Sequence, residues 1–130
     1  MGKPSPEEIT LEFVERINAR DPDGLAELMT DDHTFIDSGG DVERGRDVMR
    51  KGFAEYFSSF PNYRINVSKV CTSGDAVAIV GKSTGSHVPA ELEPKETVLW
   101  IARIRDGLVA EWRIYTDLEQ VKKTLDPNTG

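Results

Sequence analysis

The chain has 130 residues, 30% of them charged and 38% hydrophobic, with a formal net charge of −7. That length fits one domain with one core, and the composition is too apolar for general disorder. Basic residues are thinly spread and never form a run, so the acidic surface repels nucleic acid and anionic membranes, and neither is expected as a partner. Cys71 is the single cysteine, which rules out an intramolecular disulfide and a cysteine-based metal framework and suits a reducing interior. The opening MGKPSPEE lacks the apolar core of a secretion signal, and no apolar run nears the roughly 20 residues that cross a bilayer. A cytoplasmic protein is the expectation.

Ser5-Pro6-Glu7-Glu8 combines an N-cap serine, a proline at the first helical position and a glutamate three residues after the serine. Ile9, Phe13, Val14 and Ile17 then recur at helical spacing, predicting a first helix from Pro6 to about Arg20. Asp21-Pro22 repeats the start signal, and Leu25, Leu28 and Met29 predict a short second helix ending near Thr30. His33 to Asp37 reads as a short strand stopped by Ser38-Gly39-Gly40. From Gly45 to Phe60, the residues Met49, Phe53, Tyr56, Phe57 and Phe60 share one helical face and predict a third helix. Period-two alternation follows over roughly 63–72, 76–88, 96–105 and 108–117, broken at Ser73-Gly74-Asp75, Pro89–Lys95 and Asp106-Gly107. Three helices followed by an antiparallel meander is an α+β plan in which the helices cover one sheet face. The chain reads as one domain, 1–130, with a frayed tail over 126–130.

Several motifs then stand out together. They are Asp23-Gly24-Leu25-Ala26-Glu27-Leu28-Met29 followed by Asp31-Asp32, a strand ending on Asp37, Gly45-Arg46-Asp47 opening the third helix, and Gly107-Leu108-Val109-Ala110-Glu111-Trp112-Arg113 on the last strand. With the order of elements, they resemble the NTF2-like (cystatin-like) superfamily, in the branch that holds ketosteroid isomerase, the SnoaL-like polyketide cyclases and limonene epoxide hydrolase. The resemblance implies a cone: three N-terminal helices on a strongly curved antiparallel sheet, with a ligand pocket at the open end. It also implies a homodimer formed through the outer sheet face, where Arg103, Arg105, Glu111, Arg113, Tyr115 and Asp117 interleave their charges.

With Asp37 setting the register, Phe35 and Asp37 face the pocket, as do Val77, Ile79, Gly81, Ser83, Gly85 and His87 on the third strand. Val98, Trp100, Ala102 and Ile104 do so on the fourth, and Leu108, Ala110, Trp112, Ile114 and Thr116 on the last. Gly81, Ser83 and Gly85 then leave room opposite Trp100 and Trp112 for a small hydrophobic molecule. Phe13, Phe35, Phe53, Ser83, Trp100 and Trp112 are the expected substrate-binding residues, although aromatic side chains at such positions also serve simply as core.

Asp37 falls at the position of the general-base aspartate of ketosteroid isomerase, where a partly desolvated carboxylate takes a proton from carbon beside a carbonyl. The competing reading is that Asp37 caps the Ser38-Gly39 turn. His87 is the second catalytic candidate, as a donor or proton shuttle near the rim, while His33 reads as structural. By the same resemblance, the isomerase's two tyrosines and second acid are replaced by Phe13, Phe53 and Trp100. Those departures argue against steroid isomerisation itself, because the donors that stabilise an enolate are gone. Two histidines and scattered carboxylates give no metal-ligand spacing, and no cofactor is expected. Two functions remain open: an isomerase- or cyclase-type enzyme acting on a hydrophobic carbonyl compound, or a non-catalytic ligand-binding or dimerisation module.

Overall fold

Helix α1 (Pro6–Asn18) starts where its cap is written: the Glu8 amide donates to the Ser5 hydroxyl at 3.1 Å, and the Ser5 amide to the Glu8 carboxylate at 3.2 Å. Its stripe of Ile9, Phe13, Val14 and Ile17 is buried. Asp21 caps α2 (Pro22–Glu27) through the Gly24 amide, and α3 (Arg46–Ser59) buries Met49, Phe53 and Phe57. These elements come from a computed structural model that describes residues 2–116; Asp117 and the expected tail, 126–130, lie outside the described residues.

Six strands follow the order β2-β1-β6-β5-β4-β3, with β1 (Met29–Ile36), β2 (Val42–Arg44), β3 (Arg64–Ser73), β4 (Ala76–Thr84), β5 (Val98–Arg105) and β6 (Leu108–Thr116). Helix α1 lies over β3 to β6, and α3 over β1 and β2. The α+β class and the plan of helices on one curved sheet are as expected. The sheet itself is mixed rather than antiparallel, because β6 returns beside β1 in the same direction. Strand β1 also begins earlier than expected. Helix α2 closes at Leu28, whose amide bonds back to Leu25, and Met29 pairs with Val109. The unanticipated β2 folds back on β1 through Thr34–Arg44, Phe35–Glu43 and Ile36–Val42 pairs, closing a hairpin around residues 37–41.

The inward faces of β4 and β5 are those the alternation gives: Val77, Ile79, Gly81 and Ser83, then Val98, Trp100, Ala102 and Ile104, are all buried. Strand β6 departs from its alternation. Pairing passes from Arg103–Glu111 to Ile104–Val109 and skips Ala110, so Val109 enters the core in place of the expected Leu108 and Ala110. Strand β4 ends at Thr84, because Gly85 turns the chain at φ +68. His87 therefore sits in a loop and not on the expected strand. The room expected beside the glycines is also taken: a Cβ at Gly81 would run into the Asn66 carbonyl, and one at Gly85 into that of Asn62. These glycines admit the backbone of β3 and its approach, where the β3–β4 register shifts between Val67 and Lys69.

Candidate functional site

Strands β1, β4 and β6 finish, and β3 and β5 begin, at one end of the sheet. Beneath that end lies an aromatic floor. Phe13 packs against Trp112 at 4.9 Å between ring centres and against Phe53 at 6.3 Å, while Phe53 touches Phe35 at 6.5 Å and Phe57 at 5.6 Å. Four of the six expected substrate-binding residues, Phe13, Phe35, Phe53 and Trp112, are thus brought together by four separate elements, α1, β1, α3 and β6. Phe13, Phe53, Trp100 and Trp112 are buried and pack as core; Phe35 is half-buried and keeps an open side. Ser83 is buried on β4, two residues beyond the Gly81–Val98 pair.

The two expected catalytic residues are held by different partners. Asp37 follows β1, and its Oδ1 accepts the amides of Gly39 at 2.9 Å and Asp41 at 3.0 Å. Its own amide donates to the Asp41 carbonyl, and the Gly40 amide donates to its carbonyl. This is how a short acid locks a hairpin turn. His87 is exposed in the loop after β4, with Nδ1 at 2.9 Å from the Tyr56 hydroxyl and its amide donating to the same oxygen at 3.3 Å. Its ring also lies edge-on to Tyr56 and Phe60.

Around Tyr56 the structure assembles polar groups that the sequence reading passed over. Tyr63 meets Tyr56 edge-on at 5.1 Å. Glu93 closes the loop, taking the Gly85 amide on Oε1 and the Ser86 amide and hydroxyl on Oε2. Glu96 is only 3% exposed, on the buried parity that continues through Val98 and Trp100. Lys82 donates from Nζ to the Glu96 main-chain carbonyl at 3.3 Å. Burial raises the Tyr56 hydroxyl above the usual phenol range, opposed by its His87 bond and reinforced by Glu93 and Glu96. Burial lifts Tyr63 further; Tyr56, Glu93 and Glu96 add to the shift, while a hydrogen bond from Trp100 opposes it. Both phenols are therefore held as protonated donors beside carboxylates. Extending the strand parity back from Val98 to Glu96, and from Ile65 to Tyr63, is the signal that would have found them.

The opposite end is different. Thr30, Asp31, Asp32, Arg46, Arg105, Asp106 and Leu108 outline an open hollow of about 570 Å³. Its charges are paired across the surface, Arg46 with Asp31 at 2.6 Å and Arg105 with Asp32 at 2.5 Å. Further in, His33 is fully buried and stacked on Phe13. Its Nδ1 lies 2.7 Å from the Val109 carbonyl and must carry the proton, while Nε2 meets no partner among the described residues. Burial lowers its pKa, against the opposing effects of the Val109 carbonyl and Asp32.

A family model described as the SnoaL-like domain matches residues 10–112. No curated protein matches the chain significantly. Solved structures do match. One is an uncharacterised cystatin-fold protein from Novosphingobium aromaticivorans, at 19% identity over 85% of this chain and 97% of that one, with a TM-score of 0.72. Another is a proposed ketosteroid isomerase from Kribbella flavida, at 16% identity over 89% and 80%, with a TM-score of 0.72. A third is a proposed SnoaL-like polyketide cyclase from Jannaschia sp. CCS1, at 23% identity over 93% and 91%, with a TM-score of 0.70. At such identities the likeness establishes the NTF2-like, cystatin-like fold that the motifs implied, and leaves the reaction to the residues.

Proposed function

The chain belongs to the SnoaL-like domain family, and from that premise we propose an isomerase- or cyclase-type activity on a hydrophobic carbonyl compound, with no cofactor. The observation that carries this reading is an aromatic floor, built by Phe13, Phe35, Phe53 and Trp112, that lies below a cluster of acids and phenols at one end of the sheet. An apolar surface with a few convergent polar groups is the usual form of a small-molecule site. Trp100 and Ser83 complete its walls, and a ligand would spread against the open side of Phe35.

In the proposed reaction, Asp37 acts as general base. Its Oδ1 is fixed by two turn amides, and Oδ2 receives the proton from the carbon beside the substrate carbonyl. The C–H electron pair passes into the carbonyl as an enolate, and the resulting carboxylic acid returns the same proton to another carbon, so nothing is gained or lost. His87 acts through Tyr56, whose hydroxyl it orients. Phe13, Phe53 and Trp100, standing where ketosteroid isomerase has donors, keep the proposal away from steroids. The two bonds that commit Asp37 to its turn favour a second reading, in which the same face holds an apolar ligand without converting it.

Native mass spectrometry of the purified protein identifies a retained ligand, and Asp37→Asn is then assayed on it. Loss of turnover by about 100-fold or more, with binding kept, is the expected result for a general base. Unchanged turnover removes Asp37 from the reaction, and absence of turnover in the wild type leaves binding alone. The outer sheet face, where Val80 pairs with Leu99 and Ile101 with Arg113, is the surface we propose for self-association.

A further inference from the structure

We propose that His33 is a proton switch beneath the aromatic floor: a second proton on its ring, taken up in mild acid, unseats Phe13 and releases a small apolar molecule held against Phe35. The proposal rests on the reading that the floor holds such a molecule, and is independent of whether Asp37 is the base.

The ring sits at a break in the sheet. Strands β1 and β6 pair at Met29–Val109 and again at Thr34–Glu111, so the step along β1 is longer than the step along β6 and residues 30–33 bow out of the ladder. His33 turns into this gap. Its ring is fully buried, and Nδ1 donates its proton to the Val109 carbonyl at 2.7 Å, which leaves Nε2 as a bare lone pair without a partner among the described residues. The bulge is tied from outside by Asp31 to Arg46 and by Asp32 to Arg105, and the Gly45 amide donates to the His33 carbonyl.

A second proton turns Nε2 into a donor with nothing to receive it and places a full charge among hydrocarbon, which a packed core resists. The charged groups on the surrounding elements do not relieve it. Asp32 acts on the ring from β1, but its carboxylate is already held by Arg105. On β6, Glu111 faces Arg103 at 3.9 Å; on α1, Glu12 and Arg16 are joined at 2.8 Å; on α3, Asp47 faces Arg50 at 4.0 Å. Asp106 lines the open hollow. Relief therefore comes from moving the ring toward water, and the bulge permits this because strand pairing is already interrupted there.

Phe13 carries that movement to the floor. It stacks on His33 with ring centres 6.1 Å apart and planes 28° apart, and it packs in turn on Trp112 and Phe53, with Phe53 against Phe35. A molecule on the open side of Phe35 needs the closed packing, whereas the proton needs the open one. Burial already disfavours the charged ring in the closed packing. Ligand and proton thus oppose each other, each weakening the other by the same factor.

2-Methoxynaphthalene is fluorescent and uncharged at every pH, so its binding to the full chain reports the titration of the protein alone. The wild type is expected to bind it at about pH 7.5 and to lose about fivefold or more in affinity by about pH 5.5, a range that spans ordinary histidine titration, while far-UV circular dichroism is unchanged. His33→Asn keeps a donor for the Val109 carbonyl, cannot titrate, and should bind equally at both pH values. In proton NMR, saturation with the probe should move the His33 titration to lower pH. A fall in affinity that persists in His33→Asn overturns the proposal and passes the response to other groups such as the exposed His87. A wild type whose affinity does not fall overturns it too, as does one whose far-UV signal is lost along with its affinity. Absence of binding at about pH 7.5 instead overturns the small-molecule reading, and the switch with it. If His33→Asn does not fold, Phe13→Leu, which removes the stack and leaves the imidazole, is scored on the same ratio of affinities, and an unchanged ratio overturns the proposal.

Discussion

The two ends of the sheet carry similar groups to opposite effect. At one end, Asp31 and Asp32 meet Arg46 and Arg105 across an open hollow, each charge with an opposite neighbour and water beside it. At the other, Glu96 is buried and two phenols are pushed above their usual range, mainly by burial. Solvent makes the difference. An exposed pair is screened and contributes little, whereas a polar group removed from water alters the protonation of its neighbours and repays a well-placed ligand. One scaffold carries both ends, and burial decides which of them shifts the protonation of its own polar groups most.

Trp100→Ala is the substitution that tests this most strongly. Trp100 is 1% exposed and sits between Ile79 and Ile114 in the sheet register, and its hydrogen bond lowers Tyr63 against the larger opposing effect of burial. Truncating a buried tryptophan costs about 3–5 kcal/mol. Urea denaturation should show that loss, and absorbance titration should find Tyr63 ionising closer to the ordinary phenol range as water reaches it. A stability loss without any change in phenol titration would show that the enclosure of this end does not depend on the floor.

His33 gives an intermediate effect and links the two ends, since it stacks on Phe13 of the floor and feels the charge of Asp32. Its pKa is lowered in the folded state, mainly by burial, so the unfolded chain binds this proton more readily. Stability from this group is therefore complete above the ordinary value of about 6.5 and is lost as pH falls below it. His33→Asn keeps a donor for the Val109 carbonyl and removes the titration. Denaturation midpoints followed from about pH 7 to pH 5 should fall less steeply in the variant than in the wild type. Equal slopes would mean that His33 does not titrate on unfolding.

Much of this architecture is readable from residue spacing. Ile9, Phe13, Val14 and Ile17 declare the buried face of α1, and Val98, Trp100, Ala102 and Ile104 that of β5, because each set keeps one period throughout. Other features escape for identifiable reasons. Strand β2 is three exposed residues with no alternation to read. The parallel pairing of β1 with β6 joins segments about 75 residues apart, and no local pattern encodes it. The skipped residue Ala110 reverses a period-two reading below Glu111. For the site, the aromatic floor was legible and the polar end was not. Glu96 is a charged residue at the edge of a loop and reads as solvent-facing until the strand is extended, and the partnership of Tyr56 with His87 depends on where Gly85 turns the chain.

Arg105→Ala should have the smallest effect and is the control on the opening contrast. The hydrogen bond from Arg105 is the main reason that the Asp32 carboxyl sits below the usual range, and removing it should return Asp32 toward ordinary behaviour. Both side chains are more than half exposed, however, so solvent and salt already screen the pair. The expected result is a melting temperature indistinguishable from wild type at physiological salt, with any difference appearing only at low ionic strength. That difference should also vanish as pH falls and Asp32 becomes protonated, because its depressed pKa adds stability above its unfolded value and loses it on acidification. A drop in melting temperature comparable to that of Trp100→Ala would break the contrast, because it would mean that the open end holds its charges as tightly as the closed end holds Glu96.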